Sequence, residues 1–318
     1  MRIGTRGSAL ALAQARLVAG MIVQGGGGDR QGGREVAEPE IVVVSTSGDR
    51  GESAGEKARW VDAIERALLD GTIDLAVHSA KDVPAEIADG LELIASPARA
   101  DARDALCGAG SLAALPPHAR VGTSSLRRTA QLRALREDLE IVELRGNVDT
   151  RLRRLAEGVF DAIVLARAGL QRLGRDTGAA LDELVPAAGQ GTLALQARAG
   201  EEPVAAAVAP LRDRDAETAL AAERALVRAL GADCYTALGA HARVAGGRVD
   251  LRAWIGLADG SAWIADERSG EEPEALGREV AERLLAVGAA EMLAAGSAED
   301  RSAAIASGRR RADGQGEP

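Results

Sequence analysis

Apolar residues recur along this chain at two spacings. Short β-branched or aliphatic runs predict strands: "EIVVVST" at 40–46, "IDLAVH" at 73–78, "RVG" at 120–122, "LEIVELRG" at 139–146 and "DAIVLA" at 161–166. Between them apolar positions return every three or four residues, which predicts helices over 8–23, 60–70, 125–136 and 149–157. Strands alternating with helices predict parallel or mixed sheets covered on both faces. A further run, "DAETALAAERALVRAL" at 215–230, is strongly helical.

The pattern changes after about residue 245. "GRVDLRAWIGLADGSAWIADERSG" (247–270) alternates with period two on both sides of Asp259-Gly260, a hairpin signal. Leu276, Val280, Leu284 and Leu285 then sit at helical spacing, predicting a helix over 272–295. Together they predict a separate small α+β unit. Residues 297–318 are polar and are expected to be a disordered tail. The glycine-rich stretch 25–39 lies between a helix and a strand. A phosphate-cradling glycine loop runs the other way, from strand into helix, so this one reads as a connector.

A chain of 318 residues exceeds one ordinary core and implies two or three domains. No apolar run approaches the roughly 20 residues that span a bilayer. The N-terminal apolar stretch is broken by Gln14 and Arg16, so it reads as an amphipathic helix and not a secretory leader; a cytoplasmic protein is expected. Two cysteines, Cys107 and Cys234, exclude a disulfide framework and a four-cysteine zinc site. With histidines only at 78, 118 and 241, no metal is expected.

The net charge of −9 argues against nucleic acid as a partner. The cations are nevertheless uneven. Nine arginines (120, 127, 128, 133, 136, 145, 151, 153 and 154) fall between 120 and 154, against five acids. Such a concentration suits a specific anionic ligand, although a solvated helix face is the usual fate of a charge run.

Four loops share one design, joining a strand end to a helix start with hydroxyl, amide or acidic residues beside a cation. They are "RIGTRGSALA" (2–11), "VHSAKDVP" (77–84), "VGTSSLRRTAQL" (121–132) and "LRGNVDTRLRRL" (144–155). Helix N-caps and free N–H groups there attract anions, and an arginine fork fits a carboxylate. In an open α/β sheet such strand ends form the ligand crevice. Each loop alone is an ordinary cap; four together point to a polyanion cleft. In "VHSAKDVP" a carboxylate, Asp82, sits just past a buried strand, where it could stabilise a developing cation or shuttle a proton. "LVPAAGQGTLALQAR" (184–198), with two glycines around Gln190, reads equally as a crossing loop with close backbone approach or as a plain turn. Cys234 lies in the small-residue stretch "LGADCYTALGAH" after a helix, where a thiol can pack or act.

"GTRGSALALAQA", "LAVHSAKDVP", "VGTSSLRRTAQL", "LRGNVDTRLRRL", "AGLQRLG", "PAAGQGTLALQ" and the Cys234 turn together resemble the hydroxymethylbilane synthase (porphobilinogen deaminase) family, in its order, from residue 2 to about 295. The resemblance implies two α/β domains like the halves of a type II periplasmic-binding fold around a cleft, plus a small C-terminal α+β domain. The implied division is 1–97 with 190–210, then 98–189, then 211–296, with a tail from 297. It implies a monomeric enzyme that joins four porphobilinogen molecules head to tail on a dipyrromethane primer, releasing ammonia each time. Asp82 matches the catalytic aspartate and Cys234 the thiol that holds the primer through a thioether. Arg6, Ser8, Lys81, Thr123, Ser124, Ser125, Arg127, Arg128, Arg145, Asn147, Arg151, Arg172 and Gln190 match or adjoin positions that bind the pyrrole carboxylates, and Lys57 is what remains of a lid. At the cysteine turn, Ala232-Asp233 stand where the family usually has Gly-Gly, and Ala237 where it commonly has proline.

Two other readings compete. A ligand sensor on the same fold without catalysis would give Asp82 and Cys234 no task. A cysteine hydrolase would need a histidine with an orienting group, and His241, seven residues from Cys234, shows none in sequence.

Overall fold

The structure, a computed structural model, describes residues 1–25, 37–44, 56–232 and 236–295, with the backbone alone for 56–60. Cys234, the side chain of Lys57, most of the glycine-rich connector and the expected tail lie outside the described residues.

Three sheets are built from these residues. The first has the order β2(Glu40–Val43), β1(Arg2–Thr5), β3(Leu75–Ser79), β10(Leu193–Arg198), β4(Leu91–Ala95). Strands β1, β2 and β3 run parallel, and β10 is antiparallel to both its neighbours. The second sheet has the order β7(Glu140–Glu143), β6(Arg120–Thr123), β8(Ala162–Ala166), β5(Asp104–Cys107), β9(Ala179–Leu181), and here β5 is the antiparallel insert. Both sheets therefore place the strand arriving from the other half between their third and fourth strands. This is the two-lobed, periplasmic-binding-like arrangement that the resemblance implies. The third sheet is an antiparallel meander of β11(Leu238–Ala245), β12(Arg248–Gly256) and β13(Trp263–Gly270).

The helices form where apolar spacing and caps agree. α1(Ala9–Gly25) packs Val18, Ala19 and Ile22 on Ile3 and Val77 of the first sheet. α2(Glu56–Leu69) covers the other face, with Ile64 and Leu68 on Ala76. α3(Leu126–Leu135) starts at Ser125, whose side chain accepts from the Arg128 N–H; α4(Val148–Ala156) starts at Asn147, which accepts from Thr150. α5(Arg167–Arg172) and α6(Glu202–Val208) are short. α7(Arg214–Leu230) and α8(Pro273–Ala286) cover the third sheet. The helix predicted over 272–295 is interrupted: Gly288 takes φ +109°, a left-handed conformation that closes α8 before a last helical turn. The hairpin around Asp259-Gly260 is a wider loop than a two-residue turn, because pairing stops at Gly256 and Trp263. No helix among the described residues is long and apolar enough to cross a membrane.

Two crossing segments, 96–103 and 182–192, join the first two sheets, and they touch: the Ala100 N–H donates to the Gly191 carbonyl, and Arg99 Nε to the Gln190 carbonyl at 2.9 Å. Glu223, on α7 and wholly buried, closes this junction. It accepts from Arg99 (2.7 Å), the Gly189 N–H (2.6 Å) and the Ala242 N–H (2.7 Å). Burial would raise this carboxyl, but the Arg99 charge and these donors hold it below its ordinary value. On the other side Trp254 packs with Ala130, Val185 and Ala237, so the third sheet also leans on α3.

Removing one member of a buried, hydrogen-bonded ion pair typically costs about 3–5 kcal/mol, because the remaining charge is stranded. Glu223→Ala should lower stability by about that amount in urea unfolding, with Glu223→Gln in between. A midpoint equal to that of the parent chain would show that the junction is held by something else.

Candidate active site

The sequence-predicted residues that the structure describes fall past the carboxyl ends of β1, β3, β6 and β7 and on the second crossing segment, with Arg172 at the end of α5. Past β1 the chain turns through Arg6, Gly7 and Ser8, and Ser8 Oγ accepts from the Ala11 N–H, capping α1. Past β3 a 3₁₀ turn over Ala80–Asp82 leaves the strand, with Val83 back in extended backbone before Pro84. These two turns face a common small cavity, open to solvent, to which Arg6, Ser8, Gln14, His78, Ser79 and Asp82 contribute. Gln14 Nε2 donates to Ser79 Oγ at 2.9 Å and ties the two turns together.

A hydrogen-bonded chain runs from the Asp82 turn into the second sheet. Lys81 Nζ donates to Gln190 Oε1 (3.2 Å), and Gln190 Nε2 donates to Asp104 Oδ1 (2.9 Å) and to the Ala102 carbonyl. Asp104, fully buried at the start of β5, takes Arg127 Nη1 on one oxygen and Arg128 Nε and Nη2 on the other, at 2.7–2.9 Å. Burial alone would raise the Asp104 carboxyl; the two guanidinium charges win and hold it well below the carboxylate range. Gly189, at φ +73°, makes this chain possible. A Cβ there would stand 2.8 Å from the Ala80 carbonyl carbon, so only glycine lets the crossing segment press on the Asp82 turn.

The predicted arginines differ sharply in their partners. Arg127 and Arg128 are buried on Asp104 and on the Val185 and Val164 carbonyls; Arg127 Nε is sealed with no partner among the described residues. Arg145 is exposed beside Glu143. Arg151 and Arg172 have no carboxylate partner among the described residues. Arg151 donates to the Gly146 carbonyl and to Ser124 Oγ (3.3 Å), and Arg172 to the Gly191 carbonyl at 2.6 Å. Burial lowers both guanidiniums to about 10, with the Arg128 charge adding to the effect on Arg151. A desolvated cation without an acid is a site that an anion stabilises. Thr123 is buried and its hydroxyl accepts from the Ser125 N–H; Ser125 and Asn147 serve as caps.

Sequence reasoning missed Asp104, Glu223, Arg99 and Gln14. Asp104 carried one signal, a lone acid at the start of the apolar strand "DALC". Glu223 lay unremarked on an amphipathic helix. No group of three or more metal-ligating side chains occurs among the described residues.

Residues 1–206 match the family model described as "Porphobilinogen deaminase, dipyromethane cofactor binding domain", and residues 218–286 match "Porphobilinogen deaminase, C-terminal domain". A porphobilinogen deaminase of Roseiflexus sp. (strain RS-1) is 46% identical over 302 residues, covering 90% of this chain and 96% of that protein. That of Rubrobacter xylanophilus is 46% identical over 299 residues, covering 91% and 94%. That of Deinococcus radiodurans is 42% identical over 307 residues, covering 91% and 96%. A periplasmic substrate-binding protein of an ABC transporter from Coxiella burnetii superposes with a TM-score of 0.43 at 14% identity, covering 69% of this chain and 94% of that one. On two family models that together run from residue 1 to 286, and on relatives matched almost end to end, the chain belongs to the porphobilinogen deaminase family.

Proposed function

We propose that this chain is a hydroxymethylbilane synthase, a transferase that condenses four porphobilinogen molecules head to tail, releases ammonia at each step and hydrolyses the product from the enzyme. One observation carries the reading beyond family membership. Arg151 and Arg172 are desolvated cations without acidic partners among the described residues, and Arg172 touches the same crossing segment whose Gln190 holds Lys81, next to Asp82. In this reading the cleft lies between a half built on 1–97 with 190–210 and one built on 98–189.

The donor set fits a dipyrromethane bound through a thioether to Cys234. Each pyrrole bears an acetate and a propionate, so two rings bring four carboxylates. Arg151, Arg172 and the hydroxyl of Ser124 are donors of the matching kind. When bound, the group supplies a free pyrrole α-carbon as the point of chain growth. A finished chain of six rings carries about a dozen carboxylates, which explains an arginine-rich cleft in an acidic protein.

The chain's own residues do the rest. Asp82, at the open mouth of β3, accepts the pyrrole N–H of the incoming substrate. Its negative charge stabilises the positive charge that grows on that ring as ammonia departs. The same carboxylate then takes and returns the proton that each condensation displaces. Lys81 is turned toward Gln190 and so toward the second half, where it meets carboxylates rather than the reacting carbon. Asp104 aligns Arg127 and Arg128 behind the cleft wall. A non-catalytic sensor of the same fold has no use for both a tethering thiol and this aspartate.

Intact-mass measurement of denatured protein should show two pyrrole rings attached, and none on Cys234→Ser; an unmodified parent mass would sink the reading. Asp82→Asn should retain the primer mass yet lose about 10²–10⁴-fold in turnover, the usual share of a positioned acid–base group. Arg172→Gln should weaken handling of the bound chain by about 10–100-fold in kcat/KM, the worth of one charge-assisted contact. Enzyme-bound intermediates separated by anion exchange would reveal at which length it stalls.

A further inference from the structure

Beside Asp82 stands a polar side chain that this mechanism leaves without a task. His78 is buried on β3, and its Nε2 lies 2.9 Å from Gln196 Oε1 on β10. Gln196 Nε2 in turn donates to Glu65 Oε1 on α2 at 2.8 Å. The carboxylate can only accept, so the glutamine nitrogen is oriented toward it and the glutamine oxygen toward the ring. His78 Nε2 must then carry the hydrogen, and Nδ1 is the bare, accepting nitrogen. Among the described residues the ring's hydrogen bond is the one at Nε2, and His78 lines the cavity that holds Asp82.

The ring's surroundings keep it uncharged. Burial, above all, pushes the imidazole down to about 4, against the pull of the Gln196 bond and the Asp82 charge. The charged groups around it are Asp82 and Arg6 in the cavity, Lys81 on the same turn, and Glu65 beyond Gln196. β10 offers it only Gln196. β1 has its Arg2 at the opposite end, on Asp74, and α1 presents Gln14.

We propose that His78 is a positioning residue: its Nδ1 and the Asp82 carboxylate both accept hydrogen bonds from one water in this cavity, which aims that water's lone pairs at the substrate. The inference rests on the proton-shuttling role of Asp82 given above. In the step, the water's oxygen takes a proton from the substrate as one of its own hydrogens passes to Asp82. One O–H bond forms and one breaks on the water, one O–H bond forms on Asp82, and the electron pair of the broken bond stays with the substrate. A protonated His78 would donate to the water instead and turn its lone pairs away, so the neutral state is required. Gln196 and Glu65 enforce that state by fixing the tautomer from behind.

The test uses primer-loaded enzyme, two variants and two readouts. With only three histidines in the chain, ¹⁵N spectra resolve the His78 ring. It should remain the neutral Nε2–H tautomer down to pH 5.5. Gln196→Glu places a carboxylate against Nε2, which favours the imidazolium. His78 should then titrate at a higher pH, and the variant's kcat should fall about tenfold further than the parent's between pH 8.5 and pH 6. His78→Phe should load primer normally and lose about 10–100-fold in kcat with KM for porphobilinogen nearly unchanged. Parental kcat in His78→Phe overturns the proposal, as does an unmoved pH profile in Gln196→Glu once its His78 titrates higher. If the Gln196→Glu ring does not shift, the His78→Phe result decides. A parent enzyme that makes no hydroxymethylbilane would instead strike the functional reading itself.

Discussion

The cleft depends on one buried carboxylate. Asp104 has no exposed surface, yet it holds two consecutive guanidiniums and a glutamine amide. An isolated charge in such a place would be costly, and so would two adjacent arginines. Together they are tolerable, since each nearly cancels the other's desolvation. The consequence is geometric. Arg127 and Arg128 open α3, directly after the Thr123–Ser125 loop, so fixing their heads fixes where that loop stands. Gln190 fixes the second crossing segment on the same oxygen and passes the constraint to Lys81, one residue from Asp82. The Asp82 turn and the Thr123–Ser125 loop are thereby referred to a single atom pair, Oδ1 and Oδ2 of Asp104.

A second carboxylate does for the third sheet what Asp104 does for the second. Glu223 binds one group from each crossing segment, Arg99 and the Gly189 N–H, and one from β11, the Ala242 N–H. Its neighbour Arg224 donates to the Pro84 and Ala85 carbonyls at 2.8 Å, just beyond Asp82. Helix α7 thus grips the junction with one residue and the reactive turn with the next. The helix ends at Leu230, capped by Gly231 in a left-handed conformation, four residues before Cys234. On either side of Cys234, Ala232 and Ala237 pack into the protein, Ala232 against the core of the third sheet and Ala237 against Trp254 and Val185.

How much of this was legible in the sequence follows from how local each cause is. Strands such as 161–166 and helices such as 125–136 were legible within a residue or two, because periodicity and caps are properties of neighbours. β5 and β10 were harder. Each is the antiparallel insert in the other half's sheet, and that pairing exists only once the chain has crossed twice. Gly288 broke a helix that apolar spacing alone would have continued. In the site, residues with motif context stood out: Asp82 before proline, Ser125 and Asn147 before helices. Asp104 and Glu223 did not, since a buried acid announces itself only through partners 19 to 124 residues away. His78 was visible but was weighed only as a metal ligand; its meaning lies in Gln196, which is 118 residues distant.

The arginine concentration shows how a correct signal can rest on few of its members. Of the nine between 120 and 154, Arg127 and Arg128 neutralise Asp104, Arg136 holds Asp138, Arg145 sits beside Glu143, Arg120 beside Glu140 and Arg153 beside Glu157. Arg133 donates to the Ala258 carbonyl and braces the hairpin of the third sheet. The bland reading, a paired or solvated face, thus holds for most of them. What distinguishes Arg151 is desolvation without an acid, a property invisible to counting, and it is shared by Arg172, which lies outside the counted stretch. An acidic protein recruits a polyanion this way without a basic surface. The net charge of −9 repels anions at long range, where salt screens it beyond about 10 Å. Inside the cleft the field is set by the nearest uncompensated guanidiniums, where the low dielectric strengthens each contact. Under the proposed function, selectivity falls on ligands whose carboxylates engage both Arg151 and Arg172, which favours a chain of pyrroles over any single acid.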